Sequence, residues 1–265
     1  MHMTQRILAG LAISSLALGA TVAGAQAREE AKVLIATEVL QELRSQSDQQ
    51  IPSSLMQRAY GVVVVPNVTK AAFVFGGRFG SGVLSARDSQ GKFSNPVFIS
   101  LGGGSVGWQI GVQETDIVLV FTTPGGIENI KKGKLTLGAG ASVAAGPVGR
   151  QGEAAVGTDA EVYAYSRARG LFAGVALDGT VITVSDSSNE RVYGKTDVTA
   201  AEIIGGTVTT QSENIRKFVA AVTASADNTP VPVKMYKSAT PGTSEPATPP
   251  PPAKTDAPAQ TFPVE

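Results

Sequence analysis

The sequence predicts an α+β fold in which a glycine-rich, strongly bent antiparallel sheet or barrel carries helices at its N- and C-terminal ends. Two observations predict it. Apolar residues alternate with a period of two through the middle of the chain, as they do in strands. Several of these strands, above all the uncharged stretch 135–149, have one full face and one face almost bare of side chains. A bare glycine face indicates that another backbone, a helix or a ligand approaches closely.

Residues 1–27 are predicted to be a cleavable signal peptide. Arg6 gives the positive start, an apolar run follows, and Ala25-Gln26-Ala27 fits the small-residue cleavage rule. We therefore expect a periplasmic or secreted protein with one domain over 28–227. The chain has no cysteine and one histidine, His2, which would leave with the signal.

The segment 28–46 is predicted to be an amphipathic helix, with Val33, Ala36, Leu40 and Leu43 on one stripe. Its charges are net acidic, whereas helices that lie on membranes are usually rich in lysine and arginine. We therefore expect this helix to pack on the domain.

Strand and turn signals fill the middle of the chain. Predicted strands lie at 62–65, 71–80, 82–86, 97–101, 106–112, 115–121, 135–149, 161–167, 171–177 and 181–185. Short helices are expected from Ser53, a possible cap, and after Pro124. The dipeptide Asp178-Gly179 indicates a hairpin between the last two strands.

Two further helices are expected at the end of the domain, at 198–204 and 212–226. The second carries a core stripe of Ile215, Phe218, Val219 and Val222. The segment 228–265 is predicted to be a disordered tail, because 237–265 is rich in proline and almost free of large apolar side chains.

The composition excludes several classes of function. Lysine and arginine together number 22, as do aspartate and glutamate, so there is no basic excess for binding nucleic acid. Without cysteine, or histidine beyond His2, a metal site would depend on carboxylates. Asp186, Asn189 and Glu190 could line a loop, but the twelve-residue calcium pattern is not there. We expect no metal and no cofactor.

The glycine-rich stretch also produces false catalytic motifs. Residues 103–107 match the nucleophile elbow G-x-S-x-G, but no histidine is left to take the serine proton. Residues 102–107 match G-x-G-x-x-G, yet a strand continues where a dinucleotide site needs a helix. We therefore expect no catalytic residues and no enzyme. A carboxylate hydrolase would need Asp116 and Glu161 to converge, whereas the expected role of Asp116 is an ion pair with an arginine.

Cations that lie beside glycines are the candidate lipid- or anion-binding residues. They are Lys70, Arg78, Arg87, Arg150, Arg167 and Arg169. Arginine forks and the N–H groups of glycine turns both suit phosphate or carboxylate. As a group these residues indicate an anionic ligand, with Arg150 as the leading contact and Arg78 and Lys70 assisting.

A series of short motifs resembles the SYLF family. The motifs include Lys70-Ala71-Ala72-Phe73, Gly107-Trp108-Gln109-Ile110-Gly111, Asp116, Ala144-Ala145-Gly146-Pro147-Val148-Gly149-Arg150 and Gly170-Leu171-Phe172-Ala173-Gly174, and the match covers 51–194. Eukaryotic members of this family bind phosphoinositides, tubulate membranes and, in fungi, bind actin, often with an SH3 module attached. The resemblance therefore implies a lipid-binding module.

These features together predict an exported SYLF-type module that binds an anionic lipid or a membrane surface. The family's membrane contact is attributed to a basic amphipathic N-terminal helix, whereas 28–46 is net acidic, so the natural lipid stays open. The alternative is an envelope scaffold that holds a protein partner and uses the tail as a tether. We expect no nucleic acid partner.

Overall fold

The computed structural model describes residues 3–45, 51–72, 75–106, 111–148, 160–168 and 171–227. The chain divides into two compact units, Met1–Val231 and Pro232–Glu265, and all described residues belong to the first. The tail predicted at 228–265 lies outside the described residues.

Six helices and nine strands form the described part of the chain. The helices are α1 (Met3–Ser45), α2 (Ser53–Gln57), α3 (Pro124–Lys131), α4 (Asp186–Tyr193), α5 (Ala200–Ile204) and α6 (Glu213–Ala226). The strands are β1 (Gly61–Ala72), β2 (Phe75–Ala86), β3 (Val97–Val106), β4 (Gly111–Phe121), β5 (Lys134–Thr136), β6 (Val143–Ala145), β7 (Val162–Ala168), β8 (Leu171–Gly174) and β9 (Val181–Val184). None of the described helices is both long and apolar enough to cross a membrane.

The strands form one strongly curled sheet, a half-barrel with the order β5-β9-β3-β2-β1-β4-β7-β6, and β8 pairs with β7. The predicted α+β fold with a strongly bent sheet is confirmed. The sheet is mixed rather than purely antiparallel, because β6 and β7 run parallel. The long connection over 146–161 makes this possible, since parallel neighbours need a crossover and cannot be joined by a tight turn.

The central strand β1 is apolar on both faces, and both faces are covered. Val62 and Val64 belong to a core on the α1 side of the sheet, and Val63 and Val65 belong to a core on the α3 side. All four side chains are fully buried. The prediction that this segment is a buried strand is therefore confirmed.

The α1-side core is formed by the sheet together with α1, α2 and α6. The predicted stripe of α1 (Val33, Ala36, Leu40 and Leu43) is buried, as are Ile215, Phe218 and Val222 of α6, with Val219 partly buried beside them. Burying one leucine of this kind stabilises the fold by about 1.5–3 kcal/mol. Helix α1 therefore packs on the domain, as its acidic charge indicated. It runs without a break through Ala27.

The predicted long strand at 135–149 is wrong. The chain leaves β5 after Thr136 and turns at Gly138, whose φ of 86° lies in the left-handed region that favours glycine. The turn is closed by the N–H of Gly140, which donates to the carbonyl of Thr136 at 2.7 Å. Period-two alternation continues through this turn, so the pattern alone did not reveal it.

The same limitation explains two other strand boundaries. The segments 71–80 and 106–112 are each predicted as one strand, but Ala72 of β1 pairs with Gly76 of β2, while β3 ends at Val106 and β4 begins at Gly111. Each of the two segments therefore contributes to two strands, and residues 73–74 and 107–110 lie outside the described residues.

Two local predictions near the end of the sheet are also wrong. Gly179 does form a turn, with φ of 73°, but β8 pairs with β7 while β9 pairs with β3 and β5, so there is no hairpin. The expected loop at 186–190 is part of helix α4. Near the start of the domain, α2 begins at Ser53 itself, with Pro52 in the cap position.

Candidate functional site

A bulge in β1 marks the start of the region where the predicted site residues lie. The pairing of β1 with β4 shifts between Val65 and Val68, which leaves one extra residue on β1. Asn67 adopts a φ of 51° at this point, and its backbone N–H donates to Oδ1 of Asp116 at 2.9 Å. A buried carboxylate therefore holds the bulge.

Asp116 also forms the ion pair that the sequence predicted. Its Oδ2 lies 2.8 Å from Nε of Arg167, and the Asp116 side chain is 9% exposed. The guanidinium of Arg167 makes a second ion pair with Glu42 of α1 and lies 5.9 Å from the ring centroid of Phe172. Arg167, a predicted anion contact, is thus held between two carboxylates of the protein itself.

The acid pair that a carboxylate hydrolase would need does not converge. Asp116 lies opposite Arg167, whereas Glu161 precedes Val162 at the other end of β7, opposite the end of β4. The separation along the strands is roughly 17–20 Å. Glu161 instead accepts hydrogen bonds from the Thr123 hydroxyl and the Ser142 N–H.

Lys70 and Arg78 are direct cross-strand partners in β1 and β2. Direct partners project from the same face of the sheet, so the two cations are neighbours. Lys70 is exposed and Arg78 is half-buried. Nη1 of Arg78 lies 3.5 Å from the carbonyl oxygen of Ala176, while its Nε is buried and has no hydrogen-bond partner among the described residues. Burial lowers the pKa of the Arg78 guanidinium from its ordinary value.

The other predicted cations are placed differently. Nε of Arg87 donates to the carbonyl of Ala59 at 2.8 Å and its Nη1 donates to that of Gly91 at 2.7 Å, while the guanidinium lies 4.4 Å from the ring centroid of Phe93. Arg87 therefore ties the β2 end to the chain before β1. Arg150 and Arg169 lie outside the described residues, so the structure brings together Lys70 and Arg78 from the predicted set.

A groove of about 680 Å³ lies between α1 and the bulged part of the sheet. It is lined by Arg28, Ala31, Lys32 and Ile35 of α1, and by Pro66, Asn67, Phe79, Gly80, Ser81, Ser100 and Leu101 of β1 to β3. The ring of Phe79 covers Gly77 and Gly102 and is itself exposed, at 67% for the residue. The sequence reasoning missed this groove. The sequence shows two basic residues one turn apart on α1, Arg28 and Lys32, but their spacing does not indicate which strands face them.

Two carboxylates, the buried Glu29 and the half-buried Glu30, fasten α1 beside this groove. Glu29 accepts hydrogen bonds from Lys32 at 2.6 Å, the Ser188 hydroxyl at 2.8 Å and Arg191 at 3.1 Å. Burial alone would raise the pKa of Glu29, but these three hydrogen bonds and the Lys32 charge hold it below its ordinary value of 4.5.

Glu30 accepts hydrogen bonds from the Ser212 hydroxyl at 2.9 Å and from Asn214 at 2.8 Å. These contacts join α1 to the start of α6, as the Glu29 contacts join it to α4. The first turns of α1 after residue 28 are therefore fixed to the domain by both carboxylates.

Two of the described glycines, Gly146 and Gly174, lie directly against the chain's own atoms. A methyl group at Gly146 would overlap the ring of Tyr165, and one at Gly174 would overlap the backbone of Gly146. The Tyr165 hydroxyl donates to the carbonyl of Pro147 at 3.1 Å, and burial raises the pKa of that phenol. The predicted close approach is thus confirmed there, and the approaching group is an aromatic ring or a backbone.

The residues considered for a metal site serve the fold instead. Asn189 is fully buried, and its Oδ1 accepts a hydrogen bond of 2.8 Å from the backbone N–H of Phe98. Oε1 of Glu190 accepts one of 2.8 Å from the N–H of Asp197. Within the described part of the chain, no three histidine, aspartate or glutamate side chains are grouped as metal ligands.

Comparison with known proteins places this fold in a family. A family model described as "Ysc84: Las17-binding protein actin regulator" matches residues 102–225. "LAS seventeen-binding protein 3" of Saccharomyces cerevisiae is 39% identical over 167 residues, which are 61% of this chain and 36% of that protein. "SH3 domain-containing YSC84-like protein 1" is 35% identical over 186 residues in Xenopus laevis, covering 69% of this chain and 55% of the relative.

The human protein of the same name is 34% identical over 209 residues, covering 77% of this chain and 60% of the relative. The chain thus spans about a third to three fifths of the length of these curated relatives. The match includes both the glycine-rich strands and the C-terminal helix α6, and it confirms the resemblance seen in the sequence motifs. The chain belongs to the Ysc84, or SYLF, domain family.

Proposed function

We propose that this chain is an exported SYLF module that binds an anionic lipid headgroup at the surface of a membrane. The observation that carries the proposal is the cation pair formed by Lys70 and Arg78. Like charges directly opposite each other in a sheet are destabilising. No acidic side chain of the described residues forms an ion pair with either cation.

A phosphate between the two side chains offsets their repulsion. An arginine fork matches the geometry of a phosphate, and a lysine adds a mobile point charge. Arg150, predicted from the motif at the end of 144–150, lies outside the described residues and stays a separate predicted contact.

Vesicle flotation tests the proposal. The wild-type protein should float with phosphatidylglycerol vesicles and not with phosphatidylcholine vesicles. The double variant Lys70→Gln/Arg78→Gln should bind the anionic vesicles at least about tenfold more weakly, because each charge-assisted contact contributes on the order of 1.5–3 kcal/mol. Lys92→Gln, at an exposed position beyond the other end of β2, is the charge-matched control.

A melting curve of each variant separates binding from folding. The double variant should melt no lower than the wild type, because it removes a like-charge pair. Arg150→Ala should weaken vesicle binding roughly ten- to hundredfold on the same grounds. Full vesicle binding by the double variant would overturn the assignment of Lys70 and Arg78.

The relatives support a second candidate, which is a module that binds a protein. The family is described as a Las17-binding actin regulator, and the yeast relative is named as a Las17-binding protein. For an exported chain the partner would be an envelope protein, with the chain as a scaffold. Leu171 at the start of β8 is 62% exposed and offers an apolar contact. A partner pull-down that requires 237–265 but no lipid would favour this candidate.

A further inference from the structure

A flat surface with a single exposed aromatic ring lies on the α1 side of β2 and β3. Residues of β2 alternate between the two faces of the sheet, and Val83 belongs to the α1-side core. The register of β2 with β3 has no shift, so Phe79 and Ser81 project on the same side as Val83. Their direct partners on β3 are Gly102 and Ser100. These two cross-strand pairs form one surface, which we call the Phe79 platform.

The ring of Phe79 lies flat on the sheet because the positions beneath it are glycines. A methyl group added at Gly77 would lie 2.7 Å from one edge of the ring, and one added at Gly102 would lie 3.8 Å from the opposite edge. The other face of the ring is open to solvent, and the residue is 67% exposed. Leu101 takes no part in the platform, because its side chain belongs to the α3-side core. A ring held in this way suits a ligand with a flat apolar face.

The polar side chains beside the ring can both donate and accept hydrogen bonds. They are the hydroxyls of Ser81 and Ser100 and the amide of Asn67, which are exposed and make no hydrogen bond to another described residue. A ligand that carries hydroxyl groups needs partners of this kind, whereas a simple anion needs donors only. Arg28 adds a positive charge at the same groove, and no acidic side chain of the described residues pairs with it.

From these features we propose that the Phe79 platform binds an acidic oligosaccharide. The C–H face of one pyranose ring stacks on Phe79, sugar hydroxyls bond to Ser81, Ser100 and Asn67, and a sugar carboxylate pairs with Arg28. The groove of about 680 Å³ falls in the range of roughly 300–1,000 Å³ that is usual for ligand sites.

The platform is separate from the vesicle site proposed above. Lys70 and Arg78 project on the α3 side of the sheet, since Arg78 alternates with Phe79 along β2 and Lys70 is its direct partner. The saccharide proposal therefore does not rest on lipid binding.

Affinity electrophoresis of the full chain in native gels measures saccharide binding. Polygalacturonate or alginate cast into the gel should retard the protein, and dextran, a neutral polysaccharide, should retard it less. Poly-L-glutamate has the carboxylates without the sugar rings and should not retard it. Equal retardation by poly-L-glutamate and polygalacturonate would overturn the proposal, because charge alone would then explain the binding. A mobility unchanged by both polygalacturonate and alginate would overturn it as well.

Three variants locate the site. Phe79→Ala should weaken retardation by polygalacturonate at least about tenfold, whereas Phe79→Trp should keep it because an indole offers a larger face. Arg28→Gln should weaken it about tenfold through loss of a charge-assisted contact. Leu171→Ala, which truncates a similarly exposed apolar side chain on β8, is the matched control and should behave as the wild type does. Unchanged retardation of Phe79→Ala, in a protein that melts normally, would show that the polymer binds elsewhere and would overturn the assignment.

Vesicle flotation separates the platform from the site formed by Lys70 and Arg78. Phe79→Ala should float with phosphatidylglycerol vesicles as the wild type does, and Lys70→Gln/Arg78→Gln should still be retarded by polygalacturonate. If the double variant lost its retardation with a normal melting curve, the polymer would bind at the two cations and the platform proposal would be wrong. If the double variant kept both activities, the vesicle assignment would fail and the platform would stand.

Discussion

Arg167 and Asp116 are direct partners in the register of β4 and β7, and Nε of the arginine lies 2.8 Å from Oδ2 of the aspartate. The same guanidinium pairs with Glu42 of α1, and the other oxygen of Asp116 holds the N–H of Asn67 in the β1 bulge. One buried carboxylate thus joins the N-terminal helix, two strands and the bulge that borders the groove. Its loss should affect the fold as a whole.

Asp116→Ala should destabilise the protein by about 1–3 kcal/mol, because it removes the acceptor of the Asn67 N–H and one of the two carboxylates that pair with Arg167. Asp116→Asn should cost less, since an amide oxygen can still accept from the N–H of Asn67. Urea unfolding measures both changes. Asp227→Ala, at the exposed end of α6, is the control and should stay within about 0.5 kcal/mol of the wild type. Equal stabilities for Asp116→Ala and the wild type would show that the pair contributes nothing.

Parts of the fold with regular periodicity could be predicted from the sequence. The stripes of α1 and α6 repeat at helical spacing, and the apolar run 62–65 has no polar face, so their burial follows from local patterns. The role of Asp116 could be predicted for the same reason, because a carboxylate inside an apolar strand needs a cation.

Other features depend on contacts between distant residues. The identity of the arginine beside Asp116 is fixed by the register of β4 and β7, and Arg28 and Phe79 line one groove only because α1 packs on β1 and β2. Helix α4 was missed because its buried positions include Ser188 and Asn189, which give no apolar period. The turn at Gly138 was missed because glycine both empties a strand face and permits a left-handed turn.

Gly146→Ala should be a costly change for one methyl group. The added carbon would overlap the Tyr165 ring, which is fully buried and cannot swing into solvent. Overpacking of this kind costs typically about 1–3 kcal/mol. Gly104→Ala is the matched control, because nothing lies within 4 Å of the added carbon there. Thermal unfolding should show a lower melting temperature for Gly146→Ala and little change for Gly104→Ala. Equal melting temperatures for the two variants would contradict the observed packing.

Cleavage after Ala27 should leave the domain intact. Gln26 and Ala27 are exposed, whereas Glu29 is buried and hydrogen-bonded. A chain that begins at Arg28 should therefore have the same melting temperature as the full-length protein. A chain that begins at Val33 lacks both Glu29 and Glu30 and should melt several degrees lower, because each kcal/mol shifts a domain of this size by about 2–4 °C. Mass spectrometry of envelope fractions should find Arg28 as the first residue, and an intact Met1 in the cytosol would contradict the predicted signal peptide.

Glu29 should make the stability of the protein depend on pH. Its carboxylate is 7% exposed, and the hydrogen bonds from Lys32, Ser188 and Arg191 outweigh burial and lower its pKa below 4.5. The unfolded chain therefore binds this proton more tightly than the folded one. The contribution of Glu29 is fully present above about pH 5 and is lost as the pH falls through its folded pKa.

Glu29→Gln should consequently lower the urea midpoint near neutral pH, and its difference from the wild type should shrink between about pH 5 and pH 3. Glu38→Gln, exposed on the same helix, is the control and should leave the midpoint close to that of the wild type throughout. A constant difference between Glu29→Gln and the wild type would mean that packing around the side chain, and not its charge, holds α1 to α4. In that case protonation of Glu29 at low pH would not weaken the contact between α1 and α4.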